Sequence, residues 1–362
     1  MLRGVYFLRN RLRNRLRKKS AAEKLGMATI HDVARAAEVS ATTVSHVLND
    51  SRHVSDDLRA RVLLAIETLG YTPNRLAAGL RRKHTTTIGL VVPDNTNPFF
   101  AAVARAIEDA SFEQGFSVIL CNSDGDAAKE KFYINVLLEQ RVDGTVLVAA
   151  NSSADLLAPL LDSGMPLVLI DRDLPNSTTA VDKVLSDNLG GGLQAARHLL
   201  ALGHRRIACI TGPSHVSPSA NRVTGYRQAL ADAGIVLDED LVIRGHFDFA
   251  SGFVAAQRLL DLTAPPTAIF ACNDLMAVGA LSALVERGWR VPDEISLIGF
   301  DDIALASYTN PRLTTVAQDQ RALGTVATEL LLARVKDRQR PAQVHICPTS
   351  LVVRASTAAA PV

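Results

Sequence analysis

Cysteine is scarce in this 362-residue chain: Cys121, Cys209, Cys272 and Cys347 are the only four, spaced 88, 63 and 75 apart. No CxxC pair arises, so neither a paired-cysteine metal site nor a dithiol redox motif is available. Each thiol stands in or beside a β-branched run (SVILC, IACI, AIFAC, VHIC), and buried reduced thiols are expected rather than disulfides. Long apolar runs are missing too. No stretch approaches about 18 uncharged apolar residues, which excludes a membrane-spanning helix. The start, MLRGVYFLRN, has neither a long apolar segment nor a small-residue cleavage site, so no secretion signal is expected. Aromatic residues make up only 5% and charged residues 21%, against 48% hydrophobic, an ordinary composition for a soluble α/β protein. HExxH, a Walker-type loop and Gly-x-Ser-x-Gly are all absent, and no GxGxxG follows a strand-like run.

Charge of one sign is nearly absent from the total, +2, but not from the parts. Residues 1–26 carry nine basic side chains against Glu23, residues 27–85 eight basic against six acidic, and the remainder is left at −8. A basic head on an acidic body suggests an anionic partner at the N-terminus. Residues 1–26, with Leu8, Leu12 and Leu16 at four-residue spacing, permit a basic amphipathic helix. The expectation is nevertheless a disordered extension, or a segment upstream of a true start at Met27, where a self-contained folding pattern opens.

From Thr29 the local signals are those of helices. Thr29 with Asp32 has the form of a capping box, and Ile30, Val33, Ala34 and Ala37 recur at helical spacing. Glu38 and Val39 break the pattern. Ser40 is a second N-cap, and Val44, Val47 and Leu48 make the apolar stripe of a second short helix. Two short helices joined by about three residues predict a helix-turn-helix. A third helix follows over 54–69, with Ser55 as its cap and Leu58, Val62, Ala65, Ile66 and Leu69 as its stripe. On the second helix Ala41, Thr42, Thr43, Ser45 and His46 are small or polar and cluster at the N-terminal end. Short side chains there let a helix lie deep in the major groove, where base edges carry a unique donor and acceptor pattern.

Residues 73–85 place Leu76 and Leu80 one turn apart among Arg75, Arg81, Arg82 and Lys83. An apolar side chain can wedge between base steps in a minor groove while neighbouring cations hold phosphates. From Thr87 onward eight apolar runs (IGLVV, FSVILC, GTVLVA, PLVLI, RIACITG, LVIRG, TAIFAC, EISLIGF) alternate with helical stretches. That rhythm predicts βαβ units and a doubly wound parallel sheet, with ligands beyond the C-terminal strand ends. Those ends are polar: Asp94, Asn95 and Asn97; Asp171-Arg172-Asp173; Asn273-Asp274; Asp301-Asp302. Carboxylates and Asn can take pairs of hydroxyls and Arg can donate in a fork, the needs of a polyol. Gly190-Gly191-Gly192 is read as close packing at a crossover, and His198 and His204 as structural.

MATIHDVARAAEVSATTVSHVLN strongly resembles the N-terminus of the LacI/GalR family of bacterial transcription regulators, and further matches extend the resemblance over about residues 27–355. It implies a fold of two parts: an all-α helix-turn-helix headpiece, and an α/β two-lobed domain of the periplasmic-binding-protein type I kind built on doubly wound parallel sheets. The implied organisation is a basic extension at 1–26, a headpiece at 27–72, a hinge at 73–85, an effector-binding and dimerisation domain at 86–356 and a tail at 357–362. By the same resemblance Ala41, Thr42 and His46 select the operator sequence, while Thr43, Ser45 and Asn49 mainly fix the DNA backbone. Leu80 falls on the intercalating position of the family's hinge helix, with Asn74, Arg75 and Ala77 as further minor-groove and backbone contacts. Arg222 in SANRVTGY, Asn273 in ACND and Asp301 in GFDD fall on effector-binding positions. Arg172, Asp94 and Asn95 are added from the strand ends, and Phe99, Phe100 and Phe270 as an apolar wall. The common family turn is Ala-Gly-Val-Ser, and here Glu38 replaces the Gly; a left-handed Glu there costs roughly 1 kcal/mol relative to Gly.

The expected function is that of a repressor whose affinity for a near-palindromic double-stranded operator is controlled by a small molecule bound between the lobes. A sugar or sugar derivative is the favoured effector, because the family's purine-sensing branch lacks Asn at the position of Asn273. The alternatives are a purine-responsive regulator of the same family and a sugar-binding solute receptor. No catalysis, metal or cofactor is expected. The expected partners are DNA, the effector and a second copy of the chain. The resemblance implies a dimer rather than a tetramer, because family members that tetramerise through an appended coiled coil carry leucine heptads and Leu351–Ser356 followed by TAAAPV has none. The expected location is the cytoplasm.

Overall fold

A capping box starts the first helix. The computed structural model describes residues 28–49, 52–71, 84–149, 157–173 and 181–361. In it the Asp32 amide donates to Thr29 Oγ1 (3.3 Å) and the Thr29 amide to Asp32 Oδ2 (3.0 Å), so two otherwise unpaired donors of α1 (Ile30–Ala37) are satisfied reciprocally. Glu38 ends the helix at φ 53°, ψ 45°, in the left-handed region. The Ser40 hydroxyl accepts from the Thr43 amide at 3.0 Å and so starts α2 (Ala41–Asn49). Ser55 stands at the N-cap of α3 (Asp56–Leu69) without a side-chain capping bond, and left-handed Gly70 closes that helix. Val33, Ala34, Ala37, Val44, Val47, Val62 and Ala65 are buried together between the three helices. Each fully buried valine contributes about 1.5–3 kcal/mol, enough for so small a core to define one arrangement.

The chain divides into two compact units between Thr85 and Thr86. The second unit holds two six-stranded sheets. The first lobe's strands are β1 (Thr87–Val92), β2 (Ser117–Asn122), β3 (Gly144–Leu147), β4 (Leu167–Ile170), β5 (Asp182–Ser186) and, much later, β11 (Val344–Cys347). They lie in the order β11-β5-β4-β3-β1-β2, all parallel. The second lobe's are β6 (Ile207–Thr211), β7 (Val242–Arg244), β8 (Ala268–Ala271), β9 (Ser296–Asp301), β10 (Thr314–Gln318) and β12 (Thr349–Val352), in the order β12-β10-β9-β8-β6-β7. Only β12 runs antiparallel to its neighbour. Helices α4 (Pro98–Glu113), α5 (Ala127–Glu139) and α6 (Ala158–Asp162) join strands of the first lobe.

Among these strands the eight apolar runs are present. Six of them, in β1, β3, β4, β6, β8 and β9, are buried along nearly their whole length, because strands covered on both faces read as continuous apolar stretches, while β2 and β7 are partly exposed edge strands. Four strands have no such run. β5 alternates buried and half-buried positions and carries Lys183; β10 is TTVAQ, buried through its threonines; β11 and β12 are four-residue edge strands, and β11 is mostly exposed.

The chain passes between the lobes three times. The first passage follows β5 through α7 (Asn188–Ala201), and helices α8 (Ser217–Asp232), α9 (Phe249–Leu260) and α10 (Asp274–Glu286) then join strands of the second lobe. The second follows β10 through α11 (Gln320–Lys336), and the third joins β11 to β12 through the single residue Pro348. Close approach fixes the first passage. A Cβ at Gly192 would lie within 3.0 Å of three Arg222 backbone atoms on α8, and one at Gly225 equally close to the Leu189 carbonyl oxygen. The glycine triplet is thus a packing surface. All four cysteines are buried and free, with Cys209 and Cys272 Sγ atoms 3.8 Å apart. His204 is hydrogen-bonded to Thr267, Ser296 and the Ala358 carbonyl, and His198 to Thr357. Together with the Ala360 amide donating to the Leu202 carbonyl, these bonds pin residues 357–360 of the expected tail onto the second lobe.

Candidate functional site

The C-terminal strand ends of both sheets face one cavity of about 370 Å³. The first lobe contributes Asp94 after β1, Phe99 and Phe100 from α4, and Asp171-Arg172 after β4. The second contributes Arg222 from α8, Phe247 from the loop after β7, Asn273 after β8 and Asp301 at the end of β9.

Arg222 is the organising side chain, only 3% exposed. Its Nε donates to Asn188 Oδ1 (2.8 Å) and its Nη1 to the Cys272 carbonyl (2.6 Å) and Asp301 Oδ1 (3.3 Å). The guanidinium carbon lies 3.7 Å from the Phe300 ring centroid, stacked on its face. Its fork is thereby held rigid, while Nη2 makes no protein hydrogen bond among the described residues. Asp301 is matched to it: Oδ1 takes both the Arg222 bond and one from Gln318 Nε2 (2.7 Å), leaving Oδ2. A fixed donor pair beside a fixed acceptor is what two adjacent hydroxyls require.

Asn273 does double duty. Its Oδ1 accepts from the Met276 amide (2.9 Å), so it is the N-cap of α10, and its Nδ2 donates to the Phe247 carbonyl (3.0 Å) with a second hydrogen to spare. Asp274 is turned away into the lobe, where its carboxylate accepts from the Ile303 amide and Thr315 Oγ1. Arg172 donates to the Ala149 carbonyl (2.8 Å), lies 3.9 Å from Asp171 and stands beside the Phe100 ring. Asp94 accepts from the Thr96 amide and hydroxyl, shaping the cavity rim. Asp302 is engaged by Arg354 at 2.7 Å and plays a structural part.

Burial disfavours the charged carboxylates on the cavity floor. It pushes Asp301 up to about 7, against the opposing pull of Arg222 and Gln318, and Asp171 upward despite Arg172 and Arg222. Burial likewise lowers the pKa of Arg172, countered by Asp171 and Glu130.

Two expected cavity residues are elsewhere. Phe270 is fully buried within β8, packed against Tyr226 in the second lobe's core, three residues before Asn273, which reaches the cavity. Asn95 points out onto the surface beside α4 and β2, its amide bound by Asn122 Oδ1. The aromatic contribution of the second lobe comes from Phe247 instead, a loop residue at φ 66° with no periodic signal in the sequence. Asp171, His215, His246 and Asp248 also line the cavity; the strand-end reading names Asp171 but not His246, which directly follows the run LVIRG.

On the headpiece, Thr42 is exposed and Ala41, Thr43, Ser45 and His46 are half-buried along α2, which Asn49 ends. The Thr43 hydroxyl is hydrogen-bonded to Ser40 (2.9 Å). Asn74, Arg75, Ala77 and Leu80 lie outside the described residues.

A helix-turn-helix unit followed by two α/β lobes around a polar cleft defines a DNA-binding regulator with a ligand-sensing domain. Residues 29–74 match the family described as bacterial regulatory proteins, lacI family, and residues 196–357 a periplasmic binding protein-like domain. The chain is 40% identical over 331 residues to the HTH-type transcriptional repressor PurR of Photobacterium profundum, covering 91% of this chain and 98% of that one. It is similar to a transcriptional regulator CelR–cellobiose complex (TM-score 0.71, 36% identity, 91% of this chain and 99% of that one). It is also similar to the lac repressor dimer bound to operator and the anti-inducer ONPF (TM-score 0.83, 30% identity, 92% and 100%). The chain belongs to the LacI family of bacterial transcription regulators. It is a sequence-specific DNA-binding repressor whose operator affinity is controlled by a small-molecule effector.

Proposed function

We propose that the effector is an uncharged sugar or sugar-derived polyol, held between the lobes by Arg222, Asp301, Asn273 and Arg172 against Phe99, Phe100 and Phe247. The observation that carries this reading is that Arg222, fixed by its Nε and Nη1 bonds, stands beside Asp301, whose Oδ1 takes the Arg222 and Gln318 bonds, at the cavity floor. Charge supports it further. The lining has five Asp carboxyls (Asp94, Asp124, Asp171, Asp248 and Asp301) against two guanidinium groups, and burial holds Asp301 and Asp171 toward their neutral forms, so the cleft offers no net positive field for a phosphate or carboxylate ligand and leaves a neutral polyol favoured. The cellobiose of the similar CelR complex is a ligand of that chemistry.

In this reading the chain acts as a homodimer in the cytoplasm and is a sensor rather than an enzyme. Ala41, Thr42, Thr43, Ser45, His46 and Asn49 enter the major groove, and Asn74, Arg75, Ala77 and Leu80 the minor groove. Effector closure of the cleft shifts the population of operator-competent dimers by its differential affinity for the two states.

The test is thermal unfolding of the full chain with neutral mono- and disaccharides, sugar phosphates and purines. A ligand at a hundred times its Kd adds about 2.7 kcal/mol, hence a rise of roughly 4–5 °C for a unit of this size. Selective stabilisation by a neutral sugar, lost in Arg222→Ala, is the expected result. Selective stabilisation by a phosphate or a purine would overturn the effector class.

A further inference from the structure

The turn between α1 and α2 is held by a residue from the third helix. Glu38 occupies the left-handed position that glycine fills without strain, and its backbone completes the helix end: the Glu38 amide donates to Arg35 O (3.4 Å) and the Val39 amide to Ala34 O (3.0 Å). Ser40, two residues on, caps α2, so the conformation of Glu38 sets the angle at which α2 leaves α1.

Arg61 of α3 reaches this point. Its Nη2 donates to the Ala37 carbonyl (2.6 Å) and the Glu38 carbonyl (3.3 Å) and lies 3.8 Å from the Glu38 carboxylate, while Nη1 is 4.0 Å from Asp57. With 28% of its side chain exposed, Arg61 is ordered by these bonds rather than by full burial. Two carbonyls at the negative end of a helix, presented side by side, suit a cation with several donors.

We infer that Arg61 is a positioning residue for operator recognition: it clasps the left-handed Glu38 turn and thereby fixes the orientation of α2, a task that glycine at position 38 would make dispensable. Arg61 acts through Glu38 and not through the DNA. A lysine in its place keeps the charge but has one donor centre for three acceptors, so it restores the clasp only in part.

The experiment measures binding of the full-length protein to a duplex selected by the wild-type chain from a random library, as a function of salt. Four chains are compared, wild type, Arg61→Ala, Glu38→Gly and the double variant, with Arg61→Lys alongside. Arg61→Ala, which removes both hydrogen bonds to the turn, is expected to weaken binding about tenfold, since they act on the DNA only through the orientation of α2. Arg61→Lys is expected to fall between. Glu38→Gly binds at least as well as wild type, and in that background Arg61→Ala costs less than about twofold. The slope of affinity against salt stays the same throughout. Equal losses from Arg61→Ala in the wild-type and Glu38→Gly backgrounds overturn the inference, and so does an unchanged affinity in Arg61→Ala. A slope reduced by about one in Arg61→Ala also overturns it, because that marks a direct phosphate contact. If Arg61→Ala alone is too unstable to bind, recovery of binding in the double variant upholds the clasp and its failure there refutes it.

Discussion

Gly192→Ala tests whether the packing of two helices sets the cleft. In a helix interior the substitution by itself stabilises by about 0.8–1.0 kcal/mol, since alanine loses less chain entropy. At Gly192 the new Cβ would stand 2.9 Å from Arg222 Cα and nearer still to its carbonyl oxygen. These are backbone atoms that no rotamer change can move, so α7 and α8 must separate. Such overpacking typically costs about 1–3 kcal/mol, and the upper half of that range applies when backbone meets backbone. The expected net effect is a loss of roughly 1–2 kcal/mol in urea unfolding of the full chain.

The displaced helix is the one that carries Arg222, whose Nε and Nη1 bonds leave about half an ångström of tolerance. Response to the effector should therefore weaken together with stability. A Gly192→Ala protein that unfolds at higher urea than wild type would refute the close-approach reasoning outright. One that is less stable but retains full effector affinity would refute the link from α8 packing to the cleft.

Asp301 gives a pH signature. An ordinary Asp titrates near 3.8 and this one near 7. Between those values the fold holds a proton that the unfolded chain has released, and the stability contributed by this group, complete below the lower value, falls as pH rises to about 7. Asp301→Asn cannot ionise, so urea melts across this range should show its stability gaining on wild type with rising pH, by up to about 1.4 kcal/mol per unit; parallel curves would contradict the raised pKa. Titration with a thiol reagent should find the four cysteines unreactive in the native protein and all four reactive in unreduced, unfolded protein, whereas fewer than four would mean a disulfide. Leu80→Ala should weaken operator binding in gel-shift titrations while leaving effector affinity near normal, and an unchanged operator affinity would remove Leu80 from the hinge contacts.

The headpiece was legible because its signals are local. Thr29 with Asp32 and Ser40 with Thr43 are capping pairs three residues apart, and each makes its bond. The parallel sheets were legible because strands buried on both faces need apolar runs. β5 and β10 escaped because half-buried alternation and buried threonines look like loop sequence. At the cleft, Arg222, Asn273 and Asp301 are brought together from three elements, which strand-end polarity foretells in kind but not in geometry. Phe270 and Phe247 mark the limit. A sequence shows that an aromatic lies near a strand end, but whether it faces the core or the cleft depends on strand parity and on a loop conformation. Either residue can cap a helix and Asp274 is the expected cap from sequence; the structure corrects this, with Asn273 accepting from the Met276 amide and Asp274 turned to Ile303 and Thr315.

The hydrogen-bonded end of the chain bears on how this protein can be handled. Among the described residues the last anchoring bond is that of the Ala360 amide to Leu202, so an affinity tag or fluorescent partner joined after Val362 should leave those bonds intact. Cutting the chain back to Ala355 is another matter. It removes the Ser356 hydroxyl that Leu297 and Thr314 share and strips His204 and Ser296 of their Ala358 partner, exposing the end of the second sheet to water.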